Sequence, residues 1–441
     1  VTSPPLTDRA SHRAIAALSF PAMAALAADP LLSLVDTALV GRLGAVQLGA
    51  LGVNVAVFTT VFWVFNFLTY GTTAEVARLR GAGRPDEAAT YALQGLWLAV
   101  GLGAAVLLAL QVAAPLILDA MGATGELRAP AGGYLRVRAL AAVPVLLVMV
   151  GHGAFRGLKD TRTPLWIALG ANGVNAVASY LLIYPAGLGV VGAAWGTVLA
   201  QSGAALTFLL VARGRFPTPD LRLDLTAMRR IVRISRDLFL RTAALQAGLL
   251  IATAAATRLG TTTVAAHQIA RELWTMLALV LDGFAIAGQA LVATALGAGR
   301  PDLARADARR LLGYGLAGGV AIGAVYLALA GVLPQVFTTD PEVLAGVGSV
   351  WLLIAALQPV GGVVFVLDGI LMGAGDFRFL FRSTALAALA GLAPVAVAAV
   401  VFDLGLVGIW WGMVALMSVR LVTTVWRLRD GRWAAAGPGP T

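Results

Sequence analysis

Twelve separate runs of this chain stay apolar for about the 20 residues that carry a helix across a hydrocarbon core, and no other feature limits the fold as strongly. Inside a bilayer every backbone N–H and C=O must be satisfied within the span, so uninterrupted runs of this length are helices. They fall at about 14–40, 50–77, 89–113, 134–155, 163–184, 190–212, 238–259, 266–294, 311–333, 347–373, 380–401 and 404–426. The chain is accordingly 59% hydrophobic and 12% charged, where a soluble domain carries about 25% charge. The fold class is all-α and polytopic. Cysteine is absent, which excludes disulfides, thiol nucleophiles and thiolate metal sites. His12, His152 and His267 are scattered, and no nucleophile and base come together in the sequence, so neither a metal site nor an enzyme is expected.

The net charge of +10 follows topology rather than nucleic acid. With both termini on one side, the loops there carry Arg78, Arg80 and Arg84, then Arg156, Lys159 and Arg162, the arginines between 213 and 236, Arg300, Arg305, Arg309 and Arg310, and finally Arg378 and Arg382. The opposite loops carry Arg42, Arg128, Arg136, Arg138 and Arg258. The positive-inside rule puts the first set, and both termini, in the cytoplasm of a multi-pass cell (inner or plasma) membrane protein. The first half then offers acids and aromatic rings within its spans and no mid-membrane cation. Arg9, Arg13, the apolar run from Ala14 and "ALAA" at 25–28 imitate a signal peptide, but an internal repeat makes this segment the partner of the seventh span.

That repeat is ungapped. "RLG" at 42 recurs at 258, "GAGRPD" at 81 recurs at 297, and "WG" at 195 recurs at 411. Gly153, Gly157, Asp160 and Arg162 return as Gly369, Gly373, Asp376 and Arg378, all at one offset of 216 residues. A six-helix unit has been duplicated, and because six is even both copies enter the membrane the same way. The expected domains are residues 1–212 with spans 1–6, a cytoplasmic linker at 213–237, and residues 238–441 with spans 7–12 and a short tail. Parallel repeats of this kind are typical of transporters that rock two halves about a site. "GAGRPD" itself is a tight turn after a helix, lacking the Lys-Ser/Thr of a phosphate loop. In the linker, Thr226 is a plausible N-cap, and Met228, Ile231 and Ile234 alternate with arginines as in an amphipathic helix lying on anionic headgroups.

The most pointed residue is Asp36, a carboxylate inside the first span, where an ionised group costs at least about 2.5–3.5 kcal/mol. Asp29 lies seven residues earlier on nearly the same helix face, and Pro30 beside it withholds an N–H from the ladder and bends the backbone. Burial and a second negative charge both disfavour the ionised form, which suits the pair to take up a proton or cation. The repeat-related position of Asp36 is Ala252, so the two halves have diverged here.

"PLLSLVDTALVGRLGA", "GAGRPDEA", "FRGLKDTRTP" and "GLGVVGAAWGTVLAQ" resemble the signatures of multidrug and toxic compound extrusion (MATE) transporters, in order and over nearly the whole chain. "LVLDGFAIAGQALVATALGAGRPD" and "VLDGILMGAGDF" resemble its DinF-like branch, which includes bacterial proteins and plant exporters of organic acids. The resemblance implies two six-helix lobes forming a V and a secondary antiporter that exports small organic molecules against an inward flow of ions. No cofactor is implied beyond the ion gradient. Asp36 matches the favoured coupling residue. Where many relatives carry a second acid in helix 5, this chain has Ser179, so Asp36 is expected to act with Asn172, Asn175 and Ser179. Acids of the sodium-coupled NorM-like branch are missing, with Leu245 or Gln246 and Gly361 in their places, which favours protons over sodium. In the second lobe Asp282 and Asp368 match acids of DinF-like members. Arg241 and Arg271 are the cationic candidates, although Asp237, four residues before Arg241, offers it a helical ion pair.

The expected cargo is an amphipathic cation, a drug or toxic compound, held by Phe58, Phe62 and Phe65 with Asp36, Asp282 or Asp368. The alternatives are organic acids held by Arg241 or Arg271, and a lipid-linked intermediate moved by a related flippase with a more cationic cavity. The expected partners are the substrate, protons and lipid, without nucleic acid, for a functional monomer.

Overall fold

The structure, a computed structural model, describes residues 12–218 and 222–435, without the side chains of residues 29–32, 225–227, 229–230, 233–235, 277–278 and 435. In chain order the helices are α1 (His12–Gly41), α2 (Ala45–Trp63), α3 (Asn66–Gly81), α4 (Pro85–Ala120), α5 (Arg128–Ala139), α6 (Ala142–Gly157), α7 (Arg162–Ile183) and α8 (Val190–Arg213). They continue as α9 (Leu225–Arg258), α10 (Thr261–Gly297), α11 (Pro301–Ala328), α12 (Pro341–Ala374), α13 (Phe377–Leu386), α14 (Ala393–Val401), α15 (Gly405–Asp430) and α16 (Arg432–Ala435). Among the described residues eleven stretches are long and apolar enough to cross a membrane, and α5 with α6, bent by 48°, makes a twelfth. The protein is therefore all-helical and multi-pass.

Two compact units result, residues 24–235 and residues 1–23 with 236–441. The core of the first is built from aliphatic side chains such as Leu68, Leu135, Leu146 and Ile183, and that of the second around Leu273, Trp351, Ile354 and Trp410. Within each unit the repeated motifs do the same physical work. Gly153 of α6 lets that helix touch α3, since a Cβ there would lie 2.6 Å from the Thr69 carbonyl oxygen. Gly369 of α12 does the same against α10, where a Cβ would come within 2.2 Å of the Ala285 carbonyl oxygen. Asp160 caps α7, accepting from the N–H groups of Arg162 at 3.1 Å and Thr163 at 2.9 Å. "GAGRPD" is the turn the sequence suggests, with Gly83 at φ 72° and Gly299 at φ 69° followed by Pro85 and Pro301 in the first turns of α4 and α11.

Three sequence expectations change. The linker helix and the seventh span are one continuous helix, α9, which starts at Leu225 rather than after a cap at Thr226. Neither proline nor glycine interrupts 225–247, so once nucleated the helix propagates. The side chains of Thr226 and Ile234 lie outside the described residues. The second span is broken at Val64–Phe65, where the Phe65 N–H bonds the Phe62 carbonyl at 3.0 Å in a tight turn. Finally, Arg138 is not in a loop: it lies in α5, near the middle of the bent α5–α6 span.

Candidate functional site

In the first unit, α1, α7 and α8 bring four polar side chains together. Asp36 is 9% exposed, and Asn175, Ser179 and Thr197 are all buried. The Ser179 hydroxyl lies 3.4 Å from Asp36 Oδ1 and 3.0 Å from Asn175 Oδ1. One hydroxyl carries one proton, so it donates to one acceptor at a time, and the shorter contact is to Asn175. Asn175 Nδ2 donates to Thr197 Oγ1 at 3.1 Å, and Thr197 donates onward to the Ala193 carbonyl at 3.1 Å. The donors thus run one way, from Ser179 towards α8. A Ser179 lone pair is left facing Asp36, an arrangement that suits a protonated Asp36 donating into the chain. Asn172 is not part of it; its Nδ2 donates to the Ala28 carbonyl at 2.8 Å and ties α7 to α1. Asp29 and Pro30 are in α1, and their side chains lie outside the described residues.

Arg138 overturns the expectation that this half lacks a mid-membrane cation. Its guanidinium carbon is 5.2 Å from the ring centre of Phe58 and 5.6 Å from that of Phe62, and the two rings stack at 5.8 Å. Phe65 sits apart in the α2–α3 break, 6.0 Å from Phe67. Asp36 is within Coulombic range of Arg138, and the buried Tyr134 hydroxyl interacts with both Arg138 and Thr197. Arg138 Nη1 is buried with no hydrogen-bond partner among the described residues. Tyr134 and Arg138 are four apart and share a face of α5. That spacing was visible in "YLRVRA" at the start of the fourth apolar run, but the charges of Arg136 and Arg138 are counted there with the loop that precedes it.

The second unit holds a denser cluster. Asp368 of α12 forms ion pairs with Arg241 of α9 and Arg420 of α15, both through Oδ2. Asp368 and Arg420 are 3% and 2% exposed. Asp282 of α10 is half-buried within Coulombic range of Arg420. Asp368 Oδ1 and the Nε atoms of Arg241 and Arg420 are buried without partners among the described residues. The helical pair expected for Arg241 is not formed: Asp237 meets Arg236 at 3.3 Å instead. Arg420 gave no signal in the sequence beyond being a lone cation deep in the twelfth span. Arg271 lies one turn after His267, with which it interacts electrostatically. His267 packs 6.3 Å from Trp410 and His152 5.1 Å from Phe208, both by ring contact. No three His, Asp or Glu side chains among the described residues are grouped to hold a metal ion.

Duplicated helical units, each with oppositely charged side chains among its apolar membrane-crossing helices, are the build of a membrane transporter, and comparison with known proteins agrees. The MatE family model matches residues 21–181 and again 238–397, once per repeat. Protein DETOXIFICATION 44, chloroplastic, of Arabidopsis thaliana is 36% identical over 97% of this chain and 84% of its own. DNA damage-inducible protein F of Escherichia coli (strain K12) is 30% identical over 97% of this chain and 95% of its own. A solved structure described as "Crystal structure of MATE in the bent conformation" superposes with a TM-score of 0.88 at 23% identity, covering 96% of this chain and 97% of that one. The chain belongs to the MATE family of transporters.

Proposed function

We propose that this transporter exports small organic anions, carboxylates above all, from a cell in whose membrane the arginine-rich loops face the cytoplasm, and that its coupling ion is the proton, taken up at Asp36. The supporting observation is the half-buried Arg138 guanidinium, whose Nη1 is buried and unpartnered among the described residues, within Coulombic range of Asp36. The aromatic surface that suited a cationic drug already carries this side chain. In the second unit Asp368 is likewise taken up by Arg241 and Arg420. A cationic cargo would have to displace a guanidinium in either place, whereas a carboxylate finds fork-shaped donors with free N–H groups.

The same geometry supports one sign for the coupling. Ionised Asp36 competes with an anion for Arg138. A proton on Asp36 is stabilised by donation to Ser179 and leaves Arg138 uncompensated, so anion affinity rises as pH falls. Proton and anion then bind and cross together, as in a symporter rather than the expected antiporter, with export running down the outward gradient of the anion. Asn175 and Thr197 hold Ser179 in place for that exchange. A di- or tricarboxylate with one proton keeps net negative charge, so a membrane potential negative inside drives that complex outward.

The test is transport by purified protein in liposomes, with pH and sodium gradients imposed separately against citrate-like anions and rhodamine-like cations. Anion flux that responds to the pH gradient and ignores sodium is the expected result. Flux of the cationic dyes alone overturns the anion reading, and flux that follows only sodium overturns the proton.

A further inference from the structure

A cavity of about 490 Å³ opens in the first unit between α4, α6 and α8, beneath the segment that follows α8. Its volume is that of a small-molecule site, typically about 300–1,000 Å³. Ala92 and Leu96 of α4, Val150 of α6 and Phe208 and Ala212 of α8 contribute to its wall. Polar lining is confined to one end, where Arg213 and Thr218 stand at the end of α8. Phe216 meets the Phe155 ring edge-on at 6.4 Å, and Gln94, fully buried on α4, donates to the Arg222 carbonyl at 2.7 Å and accepts from the Asp224 N–H at 3.1 Å. None of the lining residues belongs to the Asp36 or Asp368 clusters.

We infer that this cavity binds one anionic phospholipid of the surrounding bilayer, its acyl chain inside and its phosphate at Arg213. The apolar wall rejects water and suits hydrocarbon. The charge lies only where the spans leave the membrane, on the arginine-rich side. Arg213, Arg215 and Arg222 are all exposed there, complementary to the anionic inner leaflet. Basic pockets between spans on that side are suited to phosphate headgroups. A cationic or neutral amphiphile would fill the same volume without using Arg213.

Native mass spectrometry of the full chain, released from detergent with phosphatidylglycerol or with phosphatidylcholine of the same acyl chains, tests this. Phosphatidylglycerol should be retained in preference, by a factor on the order of five, and Arg213→Ala, an exposed position, should remove that preference. Ala212→Phe, which fills the cavity from a half-exposed position, should lower retention of the lipid while Arg213→Ala protein stays folded as a control. Equal retention of the two lipids, or no effect of Ala212→Phe in protein that remains folded, overturns the proposal. So does displacement of phosphatidylglycerol by citrate or rhodamine, which would make the cavity a cargo site. Equal thermal stabilisation of the chain by inorganic phosphate alone would make it an anion site without a lipid.

Discussion

The Arg138 guanidinium lies 5.2 Å from the centre of the Phe58 ring, inside a membrane span. A half-buried contact of this kind contributes on the order of 1 kcal/mol, and Phe62 adds a second face. Phe58 and Phe62 thus hold a cation within Coulombic range of Asp36.

Removing the cation should remove the anion site. Arg138→Gln is expected to weaken binding of citrate-like anions roughly 10- to 100-fold, the equivalent of one charge-assisted hydrogen bond of about 1.5–3 kcal/mol. Arg138→Lys should recover part of it, since the charge returns without the planar fork. Isothermal titration of the detergent-solubilised variants measures both, and unchanged affinity in Arg138→Gln would exclude a role in cargo binding.

Asp36→Asn imitates the protonated acid and can still donate to Ser179. Anion binding in this variant should be as tight at pH 8 as at pH 6, and transport should no longer respond to a pH gradient, while folding and membrane insertion persist. Binding measured across that range decides it. Wild-type pH dependence retained in Asp36→Asn would move the proton elsewhere.

Thr197→Val keeps the shape of the side chain but leaves Asn175 Nδ2 without its acceptor in a buried position. The cost should be about 1–3 kcal/mol, seen as a lowered melting temperature. The pH at which anion binding changes should shift as well, because Ser179 is no longer held towards Asn175. A change in stability alone would leave Thr197 as a packing residue.

Asp368→Ala leaves Arg241 and Arg420 unpaired, and stability should fall by about 3–5 kcal/mol. Combining it with Arg420→Met should restore part of that loss, because one uncompensated charge goes with its partner. Thermal unfolding of the single and double variants checks the coupling; strictly additive losses would mean that the pair does not interact.

The helix contacts in the repeat are testable at two glycines. Gly153→Ala forces a methyl group to within 2.6 Å of the Thr69 carbonyl oxygen and should reduce the yield of folded protein sharply. Gly170→Ala, inside α7 with nothing within 4 Å of the added methyl, should be neutral or stabilise the helix by up to about 1 kcal/mol. Expression and melting temperature of the two variants provide the comparison.

Hydrophobic run length, arginine placement and the 216-residue offset determined by themselves that this chain is a duplicated, multi-pass helical protein, because lipid leaves the backbone no other way to satisfy its hydrogen bonds. They also marked Asp36, since an isolated acid in hydrocarbon is too costly to be incidental. The partners of that acid were only partly legible. Asn175 and Ser179 lie on one helix four residues apart, a spacing any sequence displays, and their contact with Asp36 and Thr197 needs three helices to converge. Arg138 was misplaced for a related reason: charge density along the sequence says loop, whereas the bend between α5 and α6 and the stacked rings of α2 give a guanidinium a place inside. Arg241 shows the same limit, with a sequence neighbour at the right helical spacing and a partner 127 residues away. Which charge meets which is set by the packing of helices against one another, and burial then makes the closest oppositely charged pair stronger than any exposed one the local sequence offers.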